Sequence, residues 1–135
     1  MTVRPVRDDP TFDGRLAERL NEFNYAAVGK RDGADLDFIV EADGEMTGGL
    51  SGYTWAGIAE VKLLWVREDL RGSGVGRELM AAAIAEAKAR GCGLMFLSTH
   101  SFQSQGFYEK LGFETIATIP DKPLGHAEHW LRLSL

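Results

Sequence analysis

Apolar residues recur at intervals of three and four in two long stretches, and this spacing predicts amphipathic helices. The first stretch runs from Pro10 to Val28 and is followed by Gly29, a typical helix-ending residue. The second runs from Gly74 to Arg90. The apolar stripes are Phe12, Leu16, Leu20, Phe23 and Ala27 in the first helix, and Val75, Leu79, Met80, Ala83, Ile84 and Ala87 in the second. Both stripes are predicted to face a core, and a shorter helix is predicted from Phe102 to Leu111, closed by Gly112.

Strands are predicted where apolar and polar residues alternate or where a short apolar run is bounded by turn residues. The predicted strands are a segment containing Val3 and Val6, then Leu36–Ala42, Glu45–Trp55, Ala59–Val66, Leu94–Leu97, Phe113–Ile119 and His129–Leu135. Asp43-Gly44 predicts a two-residue hairpin turn, and Gly48-Gly49 predicts a bulge or a close backbone approach. Leu94–Leu97 is apolar throughout, which predicts a strand covered on both faces. The order of elements predicts an α/β (α+β) fold with a mixed sheet, whose parallel part comes from two strand-helix-strand crossovers.

Composition restricts the class of protein. A chain of 135 residues with 44% hydrophobic and 26% charged residues is expected to form one domain, residues 1–135. A net charge of −5 argues against nucleic acid as the main ligand, and no apolar run approaches the roughly 18 residues of a membrane span. Cys92 is the single cysteine, which excludes an intrachain disulfide and favours a cytoplasmic setting. The acidic segment from Asp32 to Glu45 is interpreted either as a solvated face or as a rim that attracts cationic substrates.

The stretch from Leu64 to Met80 joins an apolar strand to the second long helix through a glycine-rich turn. Unpaired N–H groups at a helix start, together with the helix dipole, form a site for an anion such as a phosphate. Arg67, Arg71 and Arg77 add positive charge there. The stretch therefore predicts a pyrophosphate site.

Two common phosphate-binding motifs do not fit this turn. A P-loop would need glycine and lysine where Arg77 and Glu78 stand, and the dinucleotide fingerprint would need glycine or alanine at Arg77. A nucleotide-binding domain is therefore disfavoured.

The pattern that fits is Arg71-x-x-Gly74-x-Gly76 between a strand and a helix. With the strand Leu64–Val66 before it and Phe107-Tyr108-Glu-Lys-Leu-Gly112-Phe113 after it, the chain resembles the GNAT family of acetyl-CoA-dependent N-acetyltransferases over roughly Ala59 to Ile119. The resemblance implies a mixed, mostly antiparallel sheet of about six or seven strands flanked by three or more helices. It also implies acetyl-CoA as cosubstrate. No metal is expected, because His126 and His129 have no cysteine partner and their spacing gives no metal signal.

The resemblance assigns residues to the cofactor. Loop amides and side chains would hold the pyrophosphate, and the end of the preceding strand would pair with the pantetheine arm. These cofactor residues are Leu64, Trp65, Val66, Arg71, Gly72, Ser73, Gly74, Val75, Gly76 and Arg77. Ser101 stands where many members carry a cofactor-binding asparagine, and Ser101 or Gln103 is expected to replace that contact. Ser104 is a second departure, because many members carry alanine there.

The resemblance also implies the catalytic groups. Tyr108 matches the general acid that protonates the leaving thiolate, and Glu60 matches the general base of histone-type members; His100 is a rival base. The expected reaction is direct attack of a small-molecule or peptide amine on the thioester, and the alternative is a non-catalytic acyl-CoA-binding module. Plausible walls of the acceptor pocket are Phe23, Asn24, Tyr25, Tyr53 and Trp55. The resemblance also allows a homodimer.

Overall fold

The computed structural model describes residues 1–135 as two compact units, residues 1–31 and residues 32–135. The single domain expected from the sequence stays a prediction. The first unit contains one helix, α1 (Phe12–Val28), which ends at Gly29 in the left-handed conformation (φ 75°). The Gly29 N–H donates to the carbonyl oxygen of Tyr25 at 2.8 Å, so the predicted helix and its glycine stop are confirmed.

Two expectations for the first unit are wrong. No residue of α1 is buried, whereas its apolar stripe was expected to face a core. The unit has no second helix or strand on which that stripe could pack. The segment containing Val3 and Val6 forms no strand either, because no neighbouring strand pairs with it and Pro5 has no N–H to donate.

The second unit is a six-stranded mixed sheet with two helices. Its elements are β1 (Ala34–Ala42), β2 (Glu45–Trp55), β3 (Ile58–Val66), α2 (Val75–Ala89), β4 (Leu94–His100), α3 (Gln105–Lys110), β5 (Glu114–Pro120) and β6 (Ala127–Ser134). A short 3₁₀ turn, Glu68–Leu70, lies between β3 and α2. The strand order is β1-β2-β3-β4-β6-β5, and only β3 and β4 run parallel as neighbours. The expected α/β (α+β) class with a mixed, mostly antiparallel sheet is confirmed.

The second crossover does not add a parallel pair, contrary to expectation. The chain passes from β4 through α3 to β5, but β6 then returns between them and pairs antiparallel with both. The helix α3 also begins later than predicted, since residues 101–104 form turns rather than helix.

Glycines fix the geometry of the first three strands. Asp43 (φ 54°) and Gly44 (φ 75°) form the predicted two-residue hairpin turn. The expected close approach at Gly48 and Gly49 is confirmed, because a Cβ on either would lie 3.3 Å from a neighbouring backbone oxygen. Gly52 is tighter still, since a Cβ there would lie 2.0 Å from the carbonyl oxygen of Glu60.

The core lies on one face of the sheet. From α2 it takes Leu79, Met80, Ala83 and Ala87, and from β4 it takes Met95 and Leu97. Leu94 and Phe96 alternate with the buried positions of β4 and are only partly buried, so the expectation that this strand is covered on both faces is wrong. Its pleat sends successive side chains to opposite faces, and only one of those faces is the core.

Cys92 is part of this core. Burial raises the pKa of its thiol, and the residue packs as a small apolar group. None of the helices has the length and apolarity that crossing a lipid bilayer requires.

Candidate active site

The two parallel strands at the centre of the sheet separate partway along their length. Ile58–Val61 of β3 pair with Leu94–Leu97 of β4, and beyond these four residue pairs the two strands no longer pair. Lys62 is an extra residue in β3, because Ser51 of β2 faces Leu63 and Gly52 faces Val61. A bulge of this kind bends a strand and interrupts its ladder. The separated halves line a cavity of about 980 Å³.

The glycine-rich loop lies at the end of β3 and opens α2. Gly72 (φ 79°) and Gly74 (φ 98°) adopt left-handed conformations that favour glycine. The first helical backbone bond into the loop runs from the Glu78 N–H to the Gly74 carbonyl at 2.9 Å. Five N–H groups therefore donate to no protein carbonyl, namely those of Gly72, Gly74, Val75, Gly76 and Arg77. Together with the positive end of the α2 dipole, they form an anion site.

The three arginines of this stretch play different roles. Arg71 lines the cavity and its Nε donates to the carbonyl of Val66 at 3.0 Å, which ties the loop to the end of β3. Arg77 also lines the cavity. Arg67 instead pairs with Asp69 at 2.6 Å and with Glu45 at 3.6 Å, and does not line the cavity. The positive charge at the loop therefore comes from Arg71 and Arg77.

Tyr108 enters the cavity from α3. Phe107 packs beside it, with ring centroids 5.1 Å apart, and a Cβ on Gly76 would lie 3.4 Å from the Phe107 ring. Glycine at position 76 therefore lets α3 approach the start of α2. Burial raises the pKa of Tyr108 to about 12, so its hydroxyl stays protonated throughout the physiological range. That hydroxyl makes no protein hydrogen bond, and the structure has no buried unpaired side-chain oxygen, so it contacts the open space of the cavity.

Glu60 lies one residue before Val61, the last residue of β3 that pairs with β4. It stands opposite Tyr53 of β2 and Phe96 of β4, so the three side chains share the face that is turned away from the core. Burial raises the pKa of Tyr53, and the negative charge of the neighbouring Glu60 carboxylate raises it further. Glu60 is half-buried and does not itself line the cavity.

His100 lines the cavity at the end of β4, and both of its ring nitrogens face acceptors. Nδ1 is 2.9 Å from Oε1 of Gln103, and Nε2 is 3.6 Å from the carboxylate of Glu128. Glu128 is buried on β6 and also accepts from Lys122 at 2.7 Å and from the Trp130 ring N–H at 3.1 Å. The hydrogen bond from Lys122 is the main reason that the pKa of Glu128 is lowered.

Most residues predicted for the cofactor lie together in this cavity. The lining includes Leu64, Trp65, Val66, Arg71, Gly72, Ser73, Gly74, Gly76 and Arg77, with Tyr108. Val75 does not line it and instead packs against the core. Ser101 does not line it either, because its hydroxyl accepts from the Ala127 N–H at 3.1 Å. Gln103 does line it, in agreement with the alternative considered for the missing asparagine.

Three features of the site differ from, or are absent from, the expectations for the sequence. Lys62 was not recognised as a bulge, Glu128 was not linked to His100, and Phe102 was not assigned to the cavity that it lines. Only Gly52 carries a signal for the bulge, as a glycine inside a strand pattern. The contact of Glu128 with His100 joins β6 to β4, which are distant in the sequence, whereas Phe102 lies between Ser101 and Gln103, two residues that were assigned to the cofactor.

The fold and the cavity define an α/β protein with an anion-binding glycine loop beside two separating parallel strands. Residues 3–113 match the model of the acetyltransferase (GNAT) family. A blasticidin-S acetyltransferase from Streptomyces morookaense is 42% identical over 130 residues, covering 96% of this chain and 85% of the relative. Acetyltransferase Atu2258 from Agrobacterium fabrum is 33% identical, covering 91% of this chain and 90% of the relative.

Solved structures agree with this placement. The structure of an inferred acetyltransferase from Agrobacterium tumefaciens has a TM-score of 0.90 and 31% identity, covering 100% of this chain and 99% of that one. An acetyltransferase from Bacillus cereus has a TM-score of 0.81 and 26% identity, with 98% of each chain covered. The chain belongs to the GNAT acetyltransferase family.

Proposed function

We propose that the protein transfers an acetyl group from acetyl-CoA to a primary amine by direct attack of the amine on the thioester. The observation that carries this proposal is a single cavity containing the separated halves of β3 and β4, the glycine loop and Tyr108. The second candidate, a non-catalytic acyl-CoA-binding module, uses the same loop but gives no reason for a tyrosine hydroxyl in the cavity.

The residues present fit coenzyme A. The five free N–H groups from Gly72 to Arg77, with Arg71 and Arg77 beside them, suit a pyrophosphate. The edge of β3 from Lys62 to Val66 has lost its β4 partner, so its backbone groups are available to the amides of the pantetheine arm. A backbone N–H on this edge would also stabilise negative charge on the thioester oxygen.

The transfer requires one bond to form and one to break. One proton must leave the amine nitrogen, and one must reach the sulfur. The amine nitrogen bonds to the acyl carbon and loses a proton, while the carbon–sulfur bond breaks and the sulfur gains a proton. Tyr108 is proposed to supply the proton or hydrogen bond at the sulfur. Because burial holds its pKa near 12, Tyr108 acts first as a permanently protonated donor that stabilises developing charge on the sulfur.

Glu60 is the favoured base for the amine proton. Its carboxylate lies at the point where β3 and β4 separate, on the face turned away from the core, and a water molecule could connect it to the amine. His100 is less suitable, because both of its ring nitrogens already face acceptors in Gln103 and Glu128. Cys92 is buried outside the cavity with a raised thiol pKa, so nothing supports a covalent cysteine intermediate.

The acceptor is proposed to be a small cationic molecule or a peptide amine. Blasticidin S is the first compound to test, because the relative named for its acetylation is 42% identical over nearly the whole chain. The acidic segment from Asp32 to Glu45 agrees with a cationic acceptor, although Asp37 and Glu45 also make internal bonds.

The experiment is a thiol-release assay with acetyl-CoA, blasticidin S and a panel of primary amines and lysine peptides. We expect acceptor-dependent release of free CoA and a product heavier by one acetyl group, measured by mass spectrometry. Saturable binding of acetyl-CoA without turnover on any acceptor would favour the binding-module alternative. The absence of any acetyl-CoA binding would contradict both.

A further inference from the structure

Phe102 is an exposed aromatic side chain on the rim of the cavity. It lies in the turn between β4 and α3, lines the cavity and is 57% exposed. It does not belong to the hydrophobic core cluster or to the partly buried residues packed on it. A single exposed apolar side chain is ordinary on a protein surface, so what distinguishes Phe102 is the way its ring is held beside the cavity.

The ring of Phe102 is held in place from several directions. It stacks on the His100 ring at 5.2 Å with planes only 10° apart, and the His126 ring meets its edge at 5.0 Å. His100 is itself fixed by Gln103 and by the buried Glu128. The backbone beside Phe102 is fixed as well, because Ser101 exchanges two hydrogen bonds with Ala127, at 2.8 and 3.1 Å.

One face of the Phe102 ring therefore packs against His100, and its exposure leaves the opposite side accessible to a flat ring. A preordered aromatic surface of this kind suits stacking with a planar group, because little side-chain entropy is lost on binding. His100, Phe102 and His126 are called the aromatic shelf below.

The position of the shelf indicates which planar group it would meet. Because β3 and β4 run parallel, their carboxyl ends lie at the same edge of the sheet. The glycine loop follows β3 at that edge, and Phe102 follows β4. The reacting end of the ligand is expected further inside, where the strands separate at Val61 and Leu97. The shelf is thus on the same side as the pyrophosphate loop, where the nucleotide part of CoA must lie.

We propose that the aromatic shelf binds the adenine ring of coenzyme A, with Phe102 as the stacking surface. This inference rests on the proposed use of acetyl-CoA. Stacking of a nucleotide base on an aromatic side chain contributes strongly to binding and does not require hydrogen bonds to the base. The shelf therefore accounts for recognition of the nucleotide, while the loop accounts for the pyrophosphate.

The test is a comparison of two ligands by isothermal titration calorimetry: CoA, and 4′-phosphopantetheine, which lacks the 3′-phospho-AMP part and therefore the adenine ring. Phe102→Ala is expected to raise the Kd for CoA about tenfold and to leave the Kd for 4′-phosphopantetheine unchanged. Phe102→Trp is expected to retain CoA binding. Leu124→Ala is the matched control, since Leu124 is an 85% exposed loop side chain outside the cavity lining, and both of its Kd values should equal those of the wild type.

An unchanged Kd for CoA in Phe102→Ala, or an equal weakening of both ligands, would overturn the proposal. Circular dichroism of each variant shows whether the fold is retained. If the wild type binds neither ligand, the proposed function itself fails. If the wild type binds CoA and Phe102→Ala does not change the ratio of the two Kd values, only the adenine shelf fails.

Discussion

The two halves of β3 have nearly the same length and very different environments. Ile58–Val61 pairs with β2 on one side and β4 on the other, and Ala59 and Val61 are buried in the core. In the second half, Lys62 is the bulge, Leu63–Val66 stays paired with β2, and none of these residues has a β4 partner. The Leu63 and Trp65 side chains are exposed. The first half stabilises the sheet, and the second half presents an unpaired strand edge to the cavity.

The difference arises from a single extra residue. Lys62 shifts the register against β2, and Gly52 lies opposite that shift, where the backbones approach so closely that no side chain fits. The bulge therefore turns an ordinary central strand into one that is half structural and half available to a ligand.

The largest expected effect comes from adding a side chain at Gly52, where the backbones of β2 and β3 approach most closely. In Gly52→Ala the new Cβ would lie 2.0 Å from the carbonyl oxygen of Glu60, and neither backbone can move without disturbing β2 and β3. We expect the free energy of unfolding to fall by about 3 kcal/mol, the upper part of the range for overpacking, as measured by urea denaturation. Gly93→Ala is the control, because a Cβ there meets nothing within 4 Å. Equal stability of the two variants would show that the approach of β2 to β3 is looser than described.

The next effect concerns Tyr108, which lines the same cavity as the unpaired half of β3. Tyr108→Phe keeps the buried ring and removes only the hydroxyl, so the kcat of acetyl transfer is expected to fall about 10³-fold with little change in the Kd for CoA. Because the pKa of Tyr108 is about 12, the wild-type profile of kcat against pH should show no decline from this residue between pH 7 and 10. Stopped-assay rates would measure kcat, and calorimetry would measure the Kd for CoA. A parallel loss of kcat and CoA affinity would assign Tyr108 a structural role instead.

A smaller effect is expected at the boundary between the two halves. Glu60→Gln should lower kcat/KM about 10²-fold near pH 7, because Glu60 is expected to act through water rather than by direct contact. The deficit should shrink as the pH approaches 10, where the amine loses its proton without help. Glu41→Gln, an exposed carboxylate on β1, should match the wild type. A deficit that stays constant with pH would exclude Glu60 as the base.

The sequence predicted what local patterns determine. The α2 stripe, the hairpin at Asp43-Gly44 and the glycine loop depend on residues close together in the chain, and the structure contains all three. The residues predicted to bind the cofactor belong to a family pattern that is also local, and most of them line one cavity.

Features that depend on distant contacts could not be predicted. The separation of β3 from β4 follows from register between strands, and the ring of His100 is fixed by Glu128, which lies on β6. The insertion of β6 between β4 and β5 is likewise a matter of topology. The burial expected for α1 failed because periodicity predicts an amphipathic face without showing that a partner covers it.

Hydrogen–deuterium exchange of backbone amides, with and without acetyl-CoA, tests most directly whether the unpaired half of β3 and the glycine loop hold the cofactor. We predict that acetyl-CoA slows exchange at Gly72 and Gly74–Arg77 and along Lys62–Val66, while the paired half Ile58–Val61 changes little. Protection that falls elsewhere in the chain, or that is uniform along β3, would contradict this account.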